Sequence, residues 1–250
     1  MASSAEFRLF GVQHLAALLV LAASAALIAR AGLRGTDAVR RRLGIGLACL
    51  LLAYPPALYY QEARNGWLHL ANSLPLQLCD LVLVACLAAL LRPNALVSEI
   101  AYFWGLGGTL QAVLTPDIAQ GFPSWRFLQF YWGHGAVLLG IVHMIAAQGF
   151  RPRPRSALRM FLALNIYGLT VLGLDLAFGW NYGYLLRKPE GSSLFDYLGP
   201  WPWYLFAIEG IALANFWLLG LPWQIKDRIH TRRSLPKRPG AGCGIREDAS

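Results

Sequence analysis

Cys79 and His134 are the two side chains of this sequence whose chemistries combine. A thiol among apolar groups keeps its proton and is inert. An adjacent imidazole that takes the proton turns it into a nucleophile. Such a pair attacks an ester, holds the acyl group as a thioester, and passes it to a hydroxyl or to water with the imidazole as base. An acidic or amide side chain could orient the imidazole, and Asp80, Asp175 and Gln77 are the candidates. The tetrahedral oxyanion needs donors, which Asn181, Tyr182 and Gln111 could supply. Arg126, Arg187 and Lys188 could hold a lipid phosphate, or could simply anchor the chain at an interface. The residue types alone leave a plainer reading open. A cysteine in a membrane helix often only packs, and an intramembrane histidine often only bridges two helices.

The elements that must position these groups are membrane helices. The chain is 56% hydrophobic and 14% charged, against about 25% charged residues in a soluble domain. So few charges cannot solvate a water-facing surface, and lipid must be the solvent for much of the chain. Seven stretches are long and apolar enough to be spans: Phe10–Ala29, Leu43–Tyr60, Ser73–Leu91, Leu96–Thr115, Phe127–Ala147, Ala157–Phe178 and Trp203–Leu221. The first could be a signal peptide, but its apolar run is as long as a full span and its cationic side follows it, which favours an uncleaved helix. Residues 1–225 therefore form an all-α, seven-helix membrane domain, and the basic, Pro- and Gly-containing stretch 226–250 reads as a disordered tail. Short connections leave no room for a second domain.

Of the 22 Lys and Arg residues, 17 fall on one side of this arrangement, including Arg40, Arg41, Arg151 and the tail. That side is cytoplasmic by the positive-inside rule, so the N-terminus is outside and the C-terminus is in the cytoplasm. The net charge of +9 then reports topology and attraction to anionic headgroups, not nucleic-acid binding. The four cysteines imply no disulfide framework, because none falls in an exposed outer loop.

Depth selects among the polar groups. At 1.5 Å per residue, Cys79 and Asp80 lie about 9–10 Å below the outer boundary, His134 about 10 Å, Asp175 about 5 Å and Glu209 about 12 Å. His14 and Gln111 fall at about 6 Å. These groups come from six helices and converge on the outer half of the membrane, where they predict a polar cavity. His134 and His143 are nine residues apart, hence on opposite helix faces, and cannot serve one site. Cys86 shares a face with Cys79 but stands about 10 Å along the axis, as a small buried hydrophobe.

The segments Leu74-Pro75-Leu76-Gln77-Leu78-Cys79-Asp80, Tyr131-Trp132-Gly133-His134-Gly135, Asn181-Tyr182-Gly183-Tyr184-Leu185, Lys188-Pro189 and Leu198-Gly199-Pro200-Trp201-Pro202-Trp203-Tyr204 resemble, in order, motifs of YwaF-like bacterial integral membrane proteins. That group is similar to the transmembrane protein 164 family. Its members are acyltransferases that move a fatty acyl chain between glycerophospholipids through a cysteine acyl-enzyme. A more distant likeness is to the androgen-induced hydrolases of fatty acid esters, which use threonine and histidine. The resemblance implies Cys79 as nucleophile, His134 as base, membrane lipids as substrate, no cofactor, and a place in the bacterial cytoplasmic membrane. The chain departs from the bacterial pattern at Gln77, where a histidine is usual, and at Asp175, where an amide is expected.

Other functions remain as alternatives. A lipid ester hydrolase would use the same site. A non-catalytic lipid binder would keep the cavity without needing the thiol. A transporter would line both membrane halves with polar groups and show inverted repeats, neither of which is seen. A metal-dependent hydrolase needs histidines at ligand spacing; His14, His134 and Asp175 are the only set to consider.

Overall fold

Apolar runs with few charges become helices because every backbone amide must find its partner within the segment when no water is present. The computed structural model of the chain describes residues 6–189 and 194–234 and shows this pattern throughout. Among the described residues there is no strand, only an isolated bridge between Glu6 and Gln120. The helices are α1 (Val12–Arg34), α2 (Asp37–Arg64), α3 (Leu70–Ser73), α4 (Leu78–Leu91), α5 (Ala95–Trp104), α6 (Leu110–Leu114), α7 (Trp125–Ala146), α8 (Ser156–Phe178) and α9 (Trp203–Ser234). A π-helical turn, Gly105–Thr109, joins α5 to α6, so residues 95–114 form one continuous rod.

Five helices, α1, α2, α7, α8 and the Trp203–Lys226 part of α9, are long and apolar enough to cross a membrane. The other two expected spans correspond to α4 and to the 95–114 rod. The expected helix Ser73–Leu91 is shorter than the reading. Pro75 has no amide to donate and pushes Leu74 out of helical conformation, so α3 stops at Ser73 and α4 begins at Leu78. The remaining 14 residues of α4 cover about 21 Å, less than a full hydrocarbon core. Cys79 therefore lies in the first turn of α4, not two turns down a longer helix. At the other end of the chain α9 continues to Ser234, beyond the expected boundary at 225. The remainder of the expected tail, 235–250, lies outside the described residues.

Helix α7 is the hub. Half of its apolar stretch is buried, and α1, α2 and α4 pack on it, while α8 pairs with α9 and α5. Leu51, Val82, Cys86, Phe103, Ile141 and Met144 form the centre of the core. Helices in lipid gain little from hydrophobic burial, so close backbone approach matters. Gly140 provides it: a Cβ there would sit 2.5 Å from the Cys86 sulfur. Gly133 does the same two turns earlier along the helix, where a Cβ would lie 2.7 Å from two carbons of the Tyr54 ring. The outer faces of α1, α8 and α9 expose Leu19, Leu27, Leu162, Leu169 and Phe206, as a lipid-facing surface should.

The connection between α7 and α8 is tied down by charge. Glu99 of α5 is fully buried, and its carboxylate accepts from Arg153 Nε at 2.9 Å, Arg153 Nη2 at 2.8 Å and the Arg153 backbone N–H at 2.9 Å. Ser156 Oγ and Arg159 Nη2 complete the cluster. A buried carboxylate without these donors would be strongly unfavourable.

Candidate functional site

Cys79 and His134 line one small cavity. Its other walls are Tyr54 of α2, Asp80 and Leu83 of α4, Thr109 of the π turn, and Gly133 and Val137 of α7. The cavity measures about 20 Å³, close to the space one water occupies. Among the described residues, no hydrogen bond joins thiol and imidazole. They face the same void from two helices.

The imidazole is held by its own helix. His134 Nδ1 lies 2.9 Å from the Phe130 carbonyl, one turn earlier. A carbonyl can only accept, so Nδ1 carries the proton and Nε2 keeps the lone pair a base needs. The Phe130 ring stacks on the imidazole with centroids 4.2 Å apart and planes 23° from parallel. The orienting part expected of Asp80, Asp175 or Gln77 is thus filled by a backbone carbonyl.

Those three side chains shape the neighbourhood of Cys79 instead. Asp80 Oδ2 accepts from the Gln77 backbone N–H at 3.1 Å, capping the start of α4. Gln77 Oε1 accepts from the Gly183 N–H at 3.0 Å. Gly183 has φ 64°, a left-handed conformation that glycine adopts without strain. Asp175 is fully buried and accepts from the Tyr182 N–H at 3.0 Å. Tyr182 donates its hydroxyl to the Leu70 carbonyl at 2.6 Å and accepts from the Leu74 N–H at 2.9 Å. Tyr167 donates to the Leu76 carbonyl at 2.6 Å. Together these bonds form a collar around 70–77, whose broken helix leaves backbone groups that need partners. The collar fixes where α4 starts and so where Cys79 stands.

The remaining expected site residues lie apart from the cavity. His14 is buried between the Phe10 N–H, 3.0 Å from Nδ1, and the Val113 carbonyl, 3.1 Å from Nε2. It bridges α1 to α6. Gln111 Nε2 donates to Thr115 Oγ1 at 3.1 Å on an exposed surface. Glu209 of α9 accepts from Asn165 Nδ2 of α8 at 2.9 Å. Asn181 closes its own loop, accepting from the Leu186 and Arg187 N–H groups and donating to the Arg187 carbonyl. The Arg126 guanidinium stacks over Trp67 at 4.5 Å, an interfacial contact. Arg187 enters through its backbone in the Asn181 loop. In that same connection, burial and the Asp117 carboxylate push the Tyr184 hydroxyl up to about 12. It therefore stays a donor, 3.5 Å from Asp117.

Two hydroxyl-bearing wall residues escaped the sequence reading: Tyr54 and Thr109. Thr109 Oγ1 is buried and has no hydrogen-bond partner. Tyr54 Oη accepts from Gln129 Nε2 at 2.8 Å, which leaves its own proton to give. One signal for Thr109 was present, the run Gly105-Leu-Gly-Gly-Thr109 within an apolar stretch. Glycines there weaken a regular helix and admit a widened turn, a feature frequent at functional sites. Among the described residues no three His, Cys, Asp or Glu side chains group to hold a metal ion.

A thiol, an imidazole with a free lone pair and two hydroxyl groups around one small void are the group types that acyl transfer employs. None of the curated proteins compared with the chain matches it, and no solved structure does. The TMEM164 family model matches residues 9–220, which is most of the chain, so this protein belongs to the TMEM164 family.

Proposed function

We propose that the chain is a seven-span membrane acyltransferase that transfers fatty acyl groups between phospholipids through a Cys79 thioester. The observation that carries this reading is the shared cavity of Cys79 and His134. In the first step His134 Nε2 takes the thiol proton, and the sulfur attacks the ester carbonyl. The C–S bond forms, the C–O bond breaks, and His134 returns the proton to the departing lysolipid oxygen. In the second step a lysolipid hydroxyl gives its proton to His134 and attacks the thioester, releasing the thiol. Thr109 Oγ1 and Tyr54 Oη are the donors proposed for the oxyanion. The void accepts a carbonyl group but not an acyl chain, so the chains must lie along the lipid-facing surface and side chains must yield as the ester enters.

The topology belongs to the same proposal. Helix α4 and the 95–114 rod supply the sixth and seventh crossings, the latter reaching about 30 Å. The cation-rich end, with Arg40, Arg41 and Arg151, is cytoplasmic, and the Cys79 end faces outward.

The test is acyl capture from a phospholipid carrying a labelled chain, with the protein trapped by acid and the thioester cleaved by hydroxylamine. Cys79→Ser should lose the label and Cys86→Ser should keep it. Equal labelling of both variants would reject the thioester. A second reading, hydrolysis, is favoured by the size of the void, which suits one water. Release of free fatty acid that persists at saturating lysolipid would select it.

A further inference from the structure

We propose a second lipid site at the opposite end of the α2–α4–α7 groove: a cavity that binds the phosphate group of an anionic phospholipid. This proposal is independent of the Cys79 chemistry. The cavity measures about 390 Å³ and is formed by the start of α2 and the ends of α4 and α7. Arg40, Arg41 and His143 supply its polar wall, while Ile45, Leu90 and Leu91 supply an apolar one. No lining residue is acidic.

Two of the lining residues carry a buried atom with no partner. His143 is 3% exposed, and its Nδ1 is buried without a hydrogen-bond partner. Arg40 Nε is also buried without one. Arg40 Nη1 does reach Asp37 at 3.3 Å, but Asp37 is almost fully exposed and so screened by solvent. Buried polar groups in folded proteins are nearly always satisfied, and two orphans in one cavity are unusual. Gly44 allows the ring to reach this wall, since a Cβ there would lie 2.9 Å from His143 Nε2.

Two guanidinium groups and a ring nitrogen, in a cavity wall that itself holds no carboxylate, select an anion, and guanidinium forks match phosphate oxygens. The apolar wall decides for a lipid over a soluble phosphate. Ile45, Leu90 and Leu91 would border the glycerol and the first carbons of the chains, while the phosphate sits among the cations at headgroup level.

The test uses the full-length protein in detergent, with binding of phosphatidylglycerol, phosphatidylcholine and glycerol 3-phosphate measured by native mass spectrometry and thermal shift. Phosphatidylglycerol should bind at least about tenfold more tightly than the other two, the value of one charge-assisted hydrogen bond. Arg40→Gln/Arg41→Gln should lower that affinity by about tenfold or more. Arg151→Gln/Arg155→Gln removes the same charge at the same end without touching the cavity and should leave affinity unchanged. Ile45→Trp fills the cavity from a half-exposed position and should displace the lipid without loss of folding, whatever the arginine pair does. Equal loss in the Arg151/Arg155 control, or binding retained in Ile45→Trp, would overturn the site. Equal binding of glycerol 3-phosphate would overturn its assignment to a lipid.

Discussion

His134 gives its Nδ1 proton to the carbonyl of Phe130, 2.9 Å away in the same helix, and thereby settles its own tautomer. The usual arrangement assigns this task to a carboxylate on another element. Here the imidazole is oriented by residues of α7 alone. His134→Asn tests the consequence, because the asparagine amide can still donate to that carbonyl but has no basic nitrogen. Single-turnover acylation should fall by about 10²–10⁴ with little change in melting temperature. Acylation at the wild-type rate would remove His134 from the mechanism.

Thr109 separates stability from activity. Thr109→Val keeps the shape and removes a hydroxyl that has no partner. The variant should be as stable as the parent or more so, by up to about 1 kcal/mol, because a desolvated hydroxyl is gone. Its acyl transfer should fall by about 10²–10³ if the hydroxyl serves the oxyanion. Alkylation of Cys79 by a small maleimide reports access to the thiol and should not change. A variant that transfers acyl groups normally would leave Thr109 as packing.

Gly133→Ala should drive α2 and α7 apart, since the new Cβ would meet the Tyr54 ring at 2.7 Å. A loss of about 1–3 kcal/mol is expected. Gly168→Ala on α8, where nothing lies within 4 Å, is the control. Thermal melts in the same detergent compare the two, and equal melting would refute the close approach.

Tyr182→Phe should loosen the collar. The Leu74 N–H loses its acceptor and the Leu70 carbonyl its donor, at a cost of about 1–3 kcal/mol. Hydrogen exchange should rise in the 70–77 amides before it rises in α7. Uniform exchange across the bundle would mean that the collar is not a separate unit.

Glu99→Gln should weaken the far end of the fold. The glutamine cannot form the charge-assisted pairs with Arg153 and Arg159, which should lower stability by about 2–3 kcal/mol. The side chain belongs to a cluster separate from the Cys79 cavity, so acylation per folded molecule should not move. A parallel fall in acylation would show that the two ends are coupled.

The membrane class and the positions of the long helices were legible because hydropathy is an integral over about 20 residues. Local breaks were not. The third span looked continuous from Ser73 because its residues are apolar, and only Pro75 marked the interruption. Depth grouped Cys79 and His134, which do line one cavity, but it also admitted His14, Asp175 and Glu209. Depth is one coordinate, and the direction around each helix axis is another. His14 turns to Val113 and Glu209 to Asn165, which no spacing along a single helix reveals. Kinship with the TMEM164 family, whose model spans residues 9–220, was readable from several short motifs spread along that stretch.

The π turn at Gly105–Thr109 also changes how the chain must be counted. A widened turn accommodates one residue more than the regular repeat, so every position after it is rotated by roughly 100° from where an uninterrupted wheel would draw it. A relative one residue shorter in this glycine run would regain regular geometry and swing Thr109 to another azimuth. Insertions and deletions of a single residue here would thus remodel the void while leaving hydropathy untouched.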